Sequence, residues 1–127
     1  MHPGEVKTRT GVTWMDEELS MLRFVYAPSS ECSLADAIEN VDAQVKLAGG
    51  KIVPILCDIS KCKSISKEAR TYYGQNKACG ARALVGGSPI GNIIGNIFIA
   101  VYGSRQTPTR MFQGEADAIR WLKGFIA

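Results

Sequence analysis

Apolar and polar positions alternate from Val6 to Trp14, with Val6, Thr8, Thr10, Val12 and Trp14 on one face and Lys7 and Arg9 on the other. A period of two marks a half-exposed strand. The acidic residues Asp16, Glu17 and Glu18 follow as a turn, and Leu19 to Tyr26 is a second run rich in β-forming residues. Together they predict an antiparallel hairpin. Pro28, Ser29 and Ser30 break the pattern, and the period then lengthens to that of a helix. Leu34, Ile38, Val41, Val45 and Ala48 form its apolar stripe, Ser33 stands at the N-cap, and Gly49 and Gly50 stop it, one of them in the left-handed cap conformation.

Ile52 to Cys57 is a short apolar run, as expected of a parallel strand covered on both faces, although Pro54 removes one ladder donor. A second helix starts near Ser66 and continues to about Lys77, and Ala81 to Val85 gives another strand, closed by Gly86 and Gly87. Ser88 and Pro89 open a third helix that runs to about Tyr102, with serine at the cap and proline in the first turn. Arg110 to Phe112 is the last strand. Glu115 to Phe125 is the last helix, with Glu115 and Asp117 at the positive end of its dipole and Lys123 at the negative end. The order β-β-α-β-α-β-α-β-α predicts an α/β fold: a mixed, mostly parallel sheet of about five strands with an antiparallel edge hairpin and about four helices.

The third helix departs from simple amphipathicity. Ile90, Ile93, Ile94, Ile97, Phe98 and Val101 spread over more than one stripe, and Gly91 and Gly95 repeat at a spacing of four. A helix apolar nearly all round is buried on both sides, and small residues four apart permit close backbone approach. Its second face is expected either to complete the core, as in a central core helix, or to meet a second subunit, a hydrophobic ligand or a membrane surface, of which a second subunit is favoured. The surface would be formed by Ile90, Gly91, Ile94, Gly95 and Phe98, making the protein a homodimer.

Composition narrows the function. The 127 residues suit one domain spanning 1–127, and 46% hydrophobic with 21% charged residues is the balance of a compact globule. The net charge of +3 and pI near 8.7 are only mildly basic, and the lysines and arginines are scattered rather than striped, so no nucleic-acid partner is expected. The four cysteines, Cys32, Cys57, Cys62 and Cys79, form no Cys-x-x-Cys pair, and His2 is the single histidine, in a segment expected to fray. Neither a metal nor a cofactor is expected. There is no signal-peptide pattern and no apolar stretch long enough for a membrane span, so a cytoplasmic location with reduced thiols is expected.

No catalytic constellation emerges: a serine nucleophile would want a histidine or lysine base and an orienting group, and the single histidine, His2, is badly placed. Gly86-Gly-Ser-Pro89 has neither the Gly-Lys-Ser/Thr ending of a phosphate loop nor the spaced dinucleotide fingerprint. Asp58, Ser60, Ser64 and Ser66, followed by Lys67, Glu68 and Arg70, lie where a strand ends and a helix begins, a frequent place for ligands and partners to meet an α/β sheet. The same residues have structural work to do: Ser66 as a helix cap, Glu68 beside the dipole and Asp58 as a loop tie.

Asp58-Ile-Ser60, the gap to Ser66 and the helix start Ser66-Lys-Glu-Ala-Arg70 resemble the central signature of small stand-alone bacterial STAS-like domains, the SpoIIAA-like anti-sigma-factor antagonist type. Thr107-Pro-Thr-Arg-Met-Phe112 and Ala118-Ile-Arg-Trp-Leu122 are similar to the tail of that group. The resemblance implies a non-enzymatic module that binds a regulatory protein partner through the segment from Asp58 to Arg70. In that family a serine at this helix start is phosphorylated. Here it falls at Glu68, which cannot accept phosphate. A second class of function is a carrier or sensor of a lipid-like or other small apolar ligand, held in an elongated cavity lined by Ile93, Ile94, Ile97 or Phe98.

Overall fold

The computed structural model describes residues 2–75, 79–102 and 107–126, except for the side chains at 98 and 100–102. The main sheet has six strands, β1 (Val6–Lys7), β2 (Gly11–Asp16), β3 (Met21–Tyr26), β5 (Val53–Asp58), β7 (Cys79–Val85) and β8 (Thr109–Phe112), in the order β1-β2-β3-β5-β7-β8. A second, two-stranded parallel sheet joins β4 (Glu31–Cys32) to β6 (Ser64–Ile65). The helices are α1 (Leu34–Ala48), α2 (Lys67–Gln75), α3 (Pro89–Tyr102) and α4 (Glu115–Lys123). The expected mixed α/β fold is the observed one. The expected extension of the second helix to Lys77 falls outside the described residues.

The hairpin differs from the alternation reading in one respect. Val6 to Trp14 is not one strand, because the chain turns at Thr8 to Thr10 and β1 folds back antiparallel on β2, pairing Val6 with Thr13. Arg9 at this turn reaches α1: its backbone N–H donates to Glu39 at 3.0 Å, and its guanidinium Nε donates to Asp36 at 2.6 Å. Those contacts hold the bend that an uninterrupted strand would lack. β2 and β3 then form the expected antiparallel pair. His2 does not fray but stacks on Trp14 with ring centroids 3.7 Å apart.

From β3 onward, β5, β7 and β8 are added in parallel and in chain order. Each crossover therefore steps in the same direction, and a constant hand of crossover puts the connecting helices on one side. One core accordingly joins Phe24, Tyr26, Ile55 and Leu84 of the sheet to Ala37 of α1, Ala69 and Tyr73 of α2, and Ile94 of α3. The opposite face carries Met21, Leu56, Ala81 and Ala83 and is covered by Ala118 and Leu122 of α4. Because strand order never reverses among the parallel strands, no switch-point crevice opens at their carboxyl ends.

Pro54 sits where its missing donor does least harm. The β5–β7 register slips between Val53 and Ile55, so Pro54 alone faces the two residues Gly80 and Ala81. This bulge returns Cys79 to the core beneath α1 to α3, whereas strict alternation would put it on the face of Ala81.

The expected stripe on α1 is partly displaced. Val41 and Ala48 are buried, but Leu34, Ile38 and Val45 are exposed, and Asp36, Ala37, Asn40 and Gln44 lie inside instead. The helix is rotated because its polar residues have partners within. Asn40 Nδ2 donates to Thr10 Oγ1 at 3.0 Å and to the Tyr73 hydroxyl at 2.9 Å, and Asp36 receives Arg9. Ser33 caps α1 as expected, completing a capping box with Asp36, and Gly49 takes the left-handed cap conformation at φ 62°. In α4, Leu122 is buried in the core, whereas Phe125, just beyond the helix, packs against Trp121 and is exposed.

Candidate functional site

β5 delivers Asp58 to the start of the loop, where the carboxylate turns back on its own chain. Its Oδ1 accepts from the Ser60 N–H at 2.9 Å and the Ser60 hydroxyl at 2.6 Å. The Ser60 carbonyl accepts from the Ser88 hydroxyl at 2.7 Å, and Ser88 Oγ accepts from the Gly91 N–H at 3.0 Å, capping α3. Ser64 belongs to β6. Ser66 donates its N–H to the Cys32 carbonyl, and its Oγ accepts from the Ala69 N–H at 3.1 Å, capping α2. Arg70 donates to the Ile65 carbonyl at 2.6 Å. Five of the seven residues singled out in this segment thus hold the loop and helix starts together, leaving Lys67 and Glu68 exposed beside Lys61 and Lys63.

The residues singled out on α3 divide between two faces. A Cβ on Gly91 would lie 2.7 Å from the Gly86 carbonyl oxygen and 3.1 Å from that of Ile59, and one on Gly95 would collide with the end of Met111. Both glycines therefore bring α3 close to its own sheet and loop, and neither lies on a face open to another subunit. Ile94 also turns inward. Ile90, Ile93 and Ile97 point out, at 53%, 60% and 42% exposure. The Phe98 side chain lies outside the described residues.

Between this inner face and the sheet is an apolar cavity of about 60 Å³. Phe24, Ile55, Leu84 and Ile94 supply apolar walls, and Gln44 and Tyr73 supply polar ones. Ile93 and Ile97, expected to line such a space, do not reach it. The volume is also far below the few hundred Å³ of a site for a drug-sized or lipid-like molecule.

A buried polar network borders the cavity. The Tyr26 hydroxyl donates to that of Tyr73 at 2.9 Å, and Asn40 donates to the same oxygen. The Cys32 sulfur lies 3.5 Å from it. Burial holds both phenols well above their ordinary range and does the same to the Cys57 thiol. Burial also raises the thiols of Cys32, Cys62 and Cys79. These groups stay protonated at neutral pH and act as neutral packing and hydrogen-bonding groups rather than nucleophiles. Among the described residues no three His, Cys, Asp or Glu side chains converge as a metal site, and no helix is long and apolar enough to cross a membrane.

Sequence reasoning did not single out Gln44 or Arg82, both of which line the cavity. Two signals pointed there. Asn40 and Gln44 are four apart among the small or apolar residues Ala37, Val41 and Ala48, and Arg82 interrupts the apolar run from Ala81 to Val85. Arg82 is buried in the centre of the sheet, donating to the Tyr73 carbonyl at 2.6 Å and Thr109 Oγ1 at 3.4 Å.

The architecture matches a crystal structure from Shewanella loihica PV-4, an uncharacterized protein of the DUF3478 family with a SpoIIAA-like fold. The TM-score is 0.58 over 94% of this chain and 90% of that one, at 16% sequence identity. Among curated proteins no sequence matches the chain significantly. With a SpoIIAA-like fold thus shown, the sequence supplies the family: residues 13–126 match the model "Domain of unknown function (DUF7793)", and the chain belongs to that family.

Proposed function

We propose that the chain is a non-enzymatic, SpoIIAA-like regulatory module that acts through protein–protein contacts. In this reading it is a homodimer joined through the outer face of α3. The segment from Asp58 to Arg70 is presented to a regulatory protein partner, with Lys61, Lys63, Lys67 and Glu68 at its surface. The observation that carries the reading is the exposure of Ile90, Ile93 and Ile97 on one side of a helix that contains no charged residue between Pro89 and Tyr102.

Three large apolar side chains on one helix face mark an interaction surface. A two-fold contact brings each residue near its own symmetry mate, so a face of one charge repels itself while an uncharged face does not. That favours a second copy as the occupant. The buried, protonated thiols and the absence of a nucleophile–base pair among the described residues favour binding over catalysis. Four unpaired cysteines favour a reducing, cytoplasmic setting.

Sedimentation velocity tests the dimer. The wild-type chain is expected to sediment as a dimer, and Ile93→Glu as a monomer with an unchanged far-UV circular dichroism spectrum. A wild type that stays monomeric at high concentration overturns the reading.

A further inference from the structure

We infer that the cavity beneath α3 is a binding site for a small uncharged organic molecule carrying one amide, carbonyl or hydroxyl group, which Gln44 recognises. Three observations converge. The walls are apolar on the sheet side and on α3, through Phe24, Ile55, Leu84 and Ile94. α1 contributes one residue to the lining, Gln44, which is only 8% exposed. Its side-chain amide has no hydrogen-bond partner among the described residues, and one turn earlier on the same helix Asn40 Oδ1 is also buried without one. Tyr26 and Tyr73 bond to each other, and Arg82 bonds to the Tyr73 carbonyl and to Thr109.

An amide that faces an apolar cavity and has no protein partner is open to a ligand that offers both a donor and an acceptor. The volume sets the size. At about 10–15 Å³ for each water-sized group, 60 Å³ accommodates about four to six non-hydrogen atoms. That excludes a lipid chain or a nucleotide and fits a short branched amide, ketone or alcohol. The mostly apolar lining favours a neutral molecule over a charged one. This site is independent of the dimer reading, since Gln44 and Ile94 face inward and Ile93 outward.

The test is a titration of the ¹⁵N-labelled full chain with isobutyramide, and with isobutyrate as a charged molecule of the same shape. Isobutyramide is expected to give saturable shifts at the Gln44 side-chain amide and at the backbone of Ile55 and Ile94, with isobutyrate binding at least about tenfold more weakly. Gln44→Leu is expected to lower isobutyramide affinity to a similar degree, and Ile94→Trp to abolish binding by filling the space, both with a folded ¹H–¹⁵N spectrum. Non-saturable or surface-confined shifts overturn the proposal. So does isobutyrate binding as tightly as the amide, or undiminished binding to either folded variant.

Discussion

Asp36 concentrates several local interactions in one carboxylate. It accepts from Arg9 and, at 2.9 Å each, from the backbone N–H and hydroxyl of Ser33, while its own N–H donates to Ser33 Oγ. Chiefly through the Arg9 hydrogen bond, its pKa is held well below the usual carboxylate range, against the opposing effect of burial. A carboxylate with a depressed folded pKa contributes stability that is fully present above the unfolded value near about 4 and is lost as pH falls through the folded value. Arg9 is 65% exposed, so solvent screens the pair and reduces what it contributes to stability. Asp36→Asn is expected to cost about 1 kcal/mol in urea unfolding at neutral pH. That difference should shrink in melts at about pH 2.5, where the unfolded carboxyl is protonated. An unchanged penalty would show that the charge contributes nothing. The sequence identified Ser33 as the cap, but Arg9 is remote in the chain and sat inside an apparent strand, so nothing local marked their partnership.

At the scale of elements, period and punctuation revealed most of what is observed. Serine caps, paired glycines and the dipole pattern at 115–123 all belong to local chemistry, and the helices start within a residue or so of where those signals place them. Two features were hidden because they depend on a neighbouring element. The face that α1 buries is chosen by Thr10 and Tyr73, and the bulge opposite Pro54 is chosen by β7. The glycine pair of α3 illustrates the difference. Equal spacing suggested equal roles, yet Gly91 abuts backbone carbonyls whereas Gly95 abuts the flexible end of Met111. Gly91→Ala is therefore expected to destabilise by about 2 kcal/mol. In Gly95→Ala, a helix-propensity gain of about 1 kcal/mol offsets the movement of Met111, leaving little net change. Equal losses for the two variants in urea melts would refute this account of how α3 is seated.

For the whole molecule, alternation predicted the class of sheet, and the observed sequential order of its parallel strands determines where a ligand can lie. The segment from Asp58 to Arg70 was legible as a conspicuous cluster of polar residues, but most of its hydrogen-bonding capacity is satisfied within the loop itself. The cavity was not legible, because its walls come from α1, α2, α3 and four strands and meet only in the folded chain. The strong signal of α3 survives in part, with its glycines turned to the sheet and its isoleucines to the outside.

The strand order also bears on how the chain emerges during synthesis. Each parallel strand joins an edge already formed by the one before it, so the sheet can grow as residues leave the ribosome. α4, however, is the cover for the face bearing Met21, Leu56 and Ala83, and it is made after every strand. Until then that face is bare, and the nascent sheet is a client for whatever binds exposed apolar surface. Ribosome-stalled chains carrying residues up to Phe112 outside the exit tunnel are expected to be cut readily by a broad-specificity protease, and those carrying residues up to Ile126 to resist. Equal resistance would mean that α4 contributes little to closing the fold.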